Sequence, residues 1–163
     1  MNKLIVKKAA VLGAGVMGAQ IAAHLVNAGV PTVLFDLTAR EGDPRGVARR
    51  AIEGLAKLEP APLAAKDLGG AIVPAHYGED LALLGDCDLV VEAIAERLDW
   101  KRDLYAKIGP HLKDGAVLAT NTSGLSIAAL AQSVPAAHRA RFCGVHFFNP
   151  PRYMHLVELG LSL

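Results

Sequence analysis

Short apolar runs of four or five residues, several ending on a polar or acidic residue, alternate along the chain with longer stretches whose apolar residues recur every three or four positions. That alternation predicts buried strands joined by helices. Lys8-Ala9-Ala10-Val11-Leu12 reads as the first strand and ends at a glycine turn. Ile21, Ala22, Leu25 and Val26 then fall at helical spacing, and Gly29 closes the segment. Further strands are predicted at Thr32-Val33-Leu34-Phe35, Ile72-Val73-Pro74 and residues 88–92, 116–120 and 141–146, with a last extended segment over 154–159. Helices are predicted over 43–58, 99–108 and 127–131, with a helical turn at 80–84. Asp43-Pro44 opens the first of these as cap and first-turn proline, and Glu59-Pro60-Ala61-Pro62 ends it. Strands alternating with helices give an α/β fold with a mostly parallel sheet.

The turn after the first strand narrows the reading. It runs Gly13-Ala14-Gly15-Val16-Met17-Gly18, and Asp36, ending the second strand, lies 23 residues after Gly13. Strand, glycine turn, helix and acid-capped strand form the layout of a dinucleotide-binding unit, hence a Rossmann-type doubly wound sheet with helices on both faces. Gly13 serves the tight turn, Gly15 the close approach of a pyrophosphate, and Gly18 the packing of helix on strand. The helix starting near Val16 and Met17 would aim its free N–H groups at the phosphates. The Asp36 carboxylate would accept from a ribose 2′-OH and repel a 2′-phosphate, so the cofactor expected is NAD rather than NADP. In such sheets ligands sit beyond the carboxyl ends of the strands. Asp36, Glu92, Asn121 and His146 all fall at such ends and are expected to share one cleft.

Composition changes this picture little. The 163 residues are 52% hydrophobic and 20% charged, which indicates a globular chain able to bury a core. A net charge of +1 gives no general pull toward nucleic acid or membrane, and no apolar run reaches the 18 residues of a membrane span. Lys3, Lys7 and Lys8 flank an apolar patch too short for a signal peptide. Cys87 and Cys143 lack metal-ligand spacing and read as reduced thiols of a cytoplasmic protein, with no metal site expected. Arg45, Arg49, Arg50 and Lys57 on the 43–58 helix read as a solvated face in preference to a contact for an anionic ligand tail. His24, within the first helix, reads as structural.

Two later stretches carry candidate chemistry. Asn121-Thr122-Ser123 follows a buried strand; its amide and hydroxyls suit either the fixing of a carbonyl or hydroxyl or plain turn chemistry. His146-Phe147-Phe148-Asn149-Pro150-Pro151 leaves a strand through a rigid turn, and Glu158 follows twelve positions after His146. Two antiparallel segments across that turn would bring Glu158 beside the imidazole. A carboxylate there fixes the tautomer and raises the basicity of the other ring nitrogen, as proton removal during hydride transfer requires.

With these segments in order, the chain resembles the NAD-binding domain of the L-3-hydroxyacyl-CoA dehydrogenases, the oxidative enzymes of fatty-acid β-oxidation. The resemblance rests on the glycine turn, residues 88–96 (DLVVEAIAE), Thr120-Asn121-Thr122-Ser123, and residues 144–151 (GVHFFNPP) continuing to Met154-His155-Leu156-Val157-Glu158. It implies that His146 is the general base with Glu158 as orienting partner, that Ser123 bonds the reacting oxygen, and that Asn121 helps hold the substrate and nicotinamide. Gly13, Gly15, Val16, Met17, Gly18, Asp36, Glu96, Lys101 and Asn149 would lie against the cofactor. Cys87-Asp88, Asp99-Trp100-Lys101 and Pro151-Arg152-Tyr153 look most like long enzymes fused to an enoyl-CoA hydratase region. The implied substrate is a 3-hydroxyacyl-CoA. The family's helical substrate and dimerisation domain is expected to lie outside residues 1–163, making the complete protein a homo-oligomer and the fragment a poor catalyst. The ending Gly160-Leu161-Ser162-Leu163 departs from the family's proline-containing continuation. The other readings are a related dehydrogenase acting on a 3-hydroxy acid, and a non-catalytic NAD-binding module.

Overall fold

The computed structural model describes residues 4–161. Lys3 of the basic patch and Ser162-Leu163 of the divergent ending lie outside them. Seven strands form one sheet: β1 (Ala9–Leu12), β2 (Thr32–Asp36), β3 (Ile72–His76), β4 (Leu89–Glu92), β5 (Val117–Thr120), β6 (Phe142–Phe147) and β7 (Val157–Leu161). Their order is β3-β2-β1-β4-β5-β6-β7, parallel throughout except for the antiparallel pairing of β6 with β7. The helices are α1 (Val16–Asn27), α2 (Gly46–Leu55), α3 (Leu98–Ile108), α4 (Ile127–Ser133) and the short α5 (Ala136–Arg139), which sequence periodicity does not reveal.

Buried strands that read as continuous apolar runs put alternate residues on opposite faces. Val11, Leu34, Val91 and Ala119 pack under Ile21, Ala22 and Val26 of α1 and Leu55 of α2. Ala10, Leu12, Phe35, Val90 and Leu118 pack on the other face against Tyr105 and Ile108 of α3 and Leu130 of α4. The sheet is thus covered on both sides, as a doubly wound fold requires.

Two elements depart from the sequence reading in their bounds. The second helix begins at Gly46, not at Pro44, and ends at Leu55, not Leu58. Asp43 uses its carboxylate on the Arg45 N–H (3.0 Å) and the Arg49 guanidinium (2.8 Å), folding 43–45 into a turn ahead of the helix. The last strand starts at Val157, since Met154 to Leu156 still belong to the turn after the prolines.

Candidate functional site

The strand order reverses between β1 and β4: the chain leaves β1 toward β2 on one side, while β4 and β5 continue on the other. Beyond the carboxyl ends at this point lie two cavities of about 510 and 480 Å³, both lined by Gly15 and by the ridge Ala93-Ile94-Ala95 that follows β4. The three glycines of the turn do different work. Gly13 has φ +104°, and a Cβ there would come within 2.8 Å of the Ala93 carbonyl oxygen. A Cβ on Gly18 would collide with the Gly13 carbonyl oxygen, so helix and strand approach as closely as backbone allows. Gly15 is exposed, and a Cβ there would meet nothing within 4 Å. The space above it is open between the two cavities. Helix α1 starts immediately after, with no capping side chain and no acidic residue in its first turn. Its positive end therefore keeps its N–H groups for an anion, which fits a pyrophosphate lying between two lobes.

The first lobe is walled mostly by apolar side chains, including Leu37, Tyr77, Ile94, Trp100 and Leu104. Asp36 stands at its edge with a fixed carboxylate: Oδ2 accepts from Ala14 N–H (2.5 Å) and Oδ1 from Leu37 N–H (2.6 Å). A flat apolar slot beside an immobilised acceptor suits a base and its ribose. Tyr77, Trp100 and Leu104 were not reached from sequence, because they come from the β3 exit and from α3, far from the glycine motif.

The second lobe is more polar and gathers Val16, Met17, Glu96, Asn121, Ser123, His146 and Asn149. His146 and Glu158 are register partners on β6 and β7, and the imidazole Nδ1 lies 2.9 Å from Glu158 Oε2. An ionised carboxylate can only accept, so Nδ1 carries the proton and Nε2 of the neutral ring is the free acceptor. The Asn121 side-chain oxygen accepts from Phe147 N–H (2.9 Å), tying the end of β5 to β6. Asn149 is held by the Gln20 amide (3.2 Å), a residue that no motif singles out.

Glu96 organises the turn that carries Ser123. Its carboxylate accepts from the Thr122 hydroxyl (2.6 and 2.9 Å), Ser123 N–H (2.6 Å) and Ser123 Oγ (3.2 Å). Partial burial opposes its ionisation, but the Thr122 hydroxyl, the Ser123 N–H and the Lys101 charge outweigh that and hold it below the usual carboxylate range.

Two residues expected in the cleft are elsewhere. Lys101 is 1% exposed and lines neither cavity; its ammonium lies 2.6 Å from Glu92 and 4.0 Å from Glu96. Glu92 does end β4, but its side chain is fully buried behind the ridge. A strand end fixes where a side chain leaves the backbone, and Lys101, Tyr105 and Thr120 draw this one into the core. His24 faces Phe147 edge-on, and its Nδ1 is buried without a partner among the described residues. Arg45 and Arg49 are paired with Asp80 and Asp43.

Residues 8–161 match the family model of the 3-hydroxyacyl-CoA dehydrogenase NAD binding domain. A Rickettsia felis protein named "Putative fatty acid oxidation complex trifunctional enzyme" is 44% identical over 155 residues, covering 94% of this chain and 22% of that protein. A Deinococcus radiodurans protein named "Probable 3-hydroxyacyl-CoA dehydrogenase" is 42% identical over 155 residues, covering 94% of this chain and 45% of that one. Among solved structures, 3-hydroxybutyryl-CoA dehydrogenase from Escherichia coli K12 superposes with a TM-score of 0.78 at 34% identity, over 96% of this chain and 32% of that one. The chain thus spans less than half the length of these relatives.

Proposed function

We propose that this chain, which belongs to the 3-hydroxyacyl-CoA dehydrogenase family as its NAD-binding domain, serves the oxidation of the 3-hydroxyl of a (S)-3-hydroxyacyl-CoA to the 3-oxoacyl-CoA in fatty-acid β-oxidation. Bound NAD would supply the hydride acceptor. Gly13, Gly15, Val16, Met17 and Gly18 would hold its pyrophosphate and Asp36 its adenosine ribose, with Glu96, Asn121 and Asn149 beside the nicotinamide. Nε2 of His146 takes the proton of the 3-hydroxyl while Glu158 holds Nδ1–H and stabilises the imidazolium that forms. Ser123 bonds the reacting oxygen, and Asn121 helps orient it. The single observation that carries this reading is the 2.9 Å His146–Glu158 contact within the same lobe as Asn121, Ser123 and Asn149.

The partner is an acyl-CoA. The rest of its pocket, and the contacts of a homo-oligomer, would come from a helical domain outside residues 1–163. Two free thiols, Cys87 and Cys143, suit a cytoplasmic protein. Among the described residues no helix is long and apolar enough to cross a membrane.

The test has two stages. Titration of the chain with NADH, followed by fluorescence, should show saturable binding that NADPH matches poorly. In the longer protein, His146→Ala should lower kcat for acetoacetyl-CoA reduction by about 10²- to 10⁴-fold while leaving the NADH Kd nearly unchanged. Activity that survives this change would remove His146 as the base.

A further inference from the structure

Behind the ridge that separates the two lobes lies a fully buried charged cluster to which the reaction assigns no role. Glu92 accepts four hydrogen bonds. Oε1 takes the Lys101 ammonium (2.6 Å) and the Ile94 N–H (2.8 Å); Oε2 takes the Tyr105 hydroxyl (2.9 Å) and the Thr120 hydroxyl (2.7 Å). Every site of this carboxylate is thus used, which is the condition under which a buried charge is tolerated. Tyr105 is a firm donor, since burial and the Glu92 charge push its phenol far up.

The partners make the cluster more than a core ion pair. Ile94 belongs to the ridge, and Lys101 also reaches the Ile94 carbonyl (3.5 Å) and approaches Glu96 (4.0 Å). Thr120 ends β5, and its oxygen accepts the Thr122 N–H (3.4 Å) one residue before Ser123. One carboxylate therefore grips the ridge on one side and the Asn121–Ser123 turn on the other. Both wall the polar lobe. An apolar replacement of a buried ion pair is often neutral or favourable for stability, so stability alone does not account for the pair.

We infer that Glu92, with Lys101, Tyr105 and Thr120, is a positioning residue that sets the spacing between the Ala93–Glu96 ridge and the Asn121–Ser123 turn, and so the fit of the nicotinamide half of the cofactor. This rests on the NAD-binding reading above. The cluster touches neither lobe directly; it acts through Ile94, Glu96 and Thr122.

The experiment compares NADH with ADP-ribose, which shares the adenosine and pyrophosphate but lacks the nicotinamide. Both are titrated against the purified chain alongside a thermal melt. The variants are the charge-balanced Glu92→Leu/Lys101→Met and the milder Thr120→Val, which removes one hydroxyl at nearly constant shape. Thr120→Val should weaken NADH by about tenfold, one lost hydrogen bond's worth, and leave ADP-ribose within about twofold. The double variant should weaken NADH further, and always more than ADP-ribose. A purely structural role would lower the melting temperature and move both ligands equally, or neither, and that result overturns the inference. Should the double variant fail to fold, Thr120→Val decides alone. If the unaltered chain binds neither ligand, the NAD reading itself fails and the inference with it. If it binds both and the variants keep its selectivity, only the inference fails.

Discussion

At the scale of single residues, two glycines three positions apart answer to different demands. Gly15 sits at φ −70° and ψ −173°, extended backbone that alanine adopts freely, with open space where a Cβ would stand. Gly15→Ala should therefore leave the melting temperature unchanged or raise stability by about 0.4–1 kcal/mol, yet weaken NADH binding by about tenfold or more, because the methyl would fill the space proposed for the pyrophosphate. Gly18→Ala should instead cost stability. Its methyl meets the Gly13 carbonyl, a backbone atom with no room to yield, and overpacking of that kind costs about 1–3 kcal/mol. Thermal melts and NADH titrations of the two variants separate cradle from packing. The turn at Gly13 and the close packing at Gly18 were legible in the sequence, since the spacing encodes backbone geometry. So was the pairing of His146 with Glu158, which needs only two strands and a turn between them. The burial of Lys101 was not legible. Its helix was, but a lysine on a helix reads as solvent-facing until a buried acid on the neighbouring strand is known to wait for it.

At the scale of elements, a half-buried ion pair joins the start of α2 to the exit of β3. Arg45 donates two hydrogen bonds to Asp80, whose side chain is 8% exposed and also accepts the His76 N–H (3.0 Å). The Arg45 guanidinium holds the Asp80 carboxyl below its ordinary value of 3.8. A carboxyl depressed in the folded state contributes stability that is fully present above its unfolded value and is lost as pH falls through the folded one. Asp80→Asn should therefore lower the melting temperature at about pH 7 and flatten its decline between about pH 5 and pH 3, the two melting curves converging in acid. Curves that stay parallel down to acid would show that the pair carries none of that dependence. This pair also explains the misread helix start. The cap rule favours Asp43-Pro44, but Asp43 is occupied by Arg45 and Arg49, and Asp80, 35 residues downstream of Arg45, fixes where the first turn begins. Strands were legible because continuous apolar runs have one use in a parallel sheet. Helix ends were not, because partners distant in sequence set them.

At the scale of the whole molecule, the two halves of the site are unequally enclosed. The apolar lobe is backed by α3 and by the exit of β3. The chemical end lies at the sheet's edge strand, where the Glu158 side chain is 59% exposed and Leu156, Val157, Leu159 and Leu161 stand uncovered. Water competes there for the carboxylate and for the imidazole, which weakens the pair proposed above to hold a transferred proton. Binding and turnover should therefore separate in the 163-residue chain. It should bind NADH with an affinity set by the glycine turn, Asp36 and the apolar lobe, all of which are formed within it. It should reduce acetoacetyl-CoA at least about 10²-fold more slowly than the longer relatives, because a substrate held loosely at the open edge loses the alignment on which proton and hydride transfer depend. NADH titration and steady-state assays on the same preparation check both halves. Turnover at the relatives' rate by the isolated chain would mean that residues 1–163 position the acyl-CoA unaided.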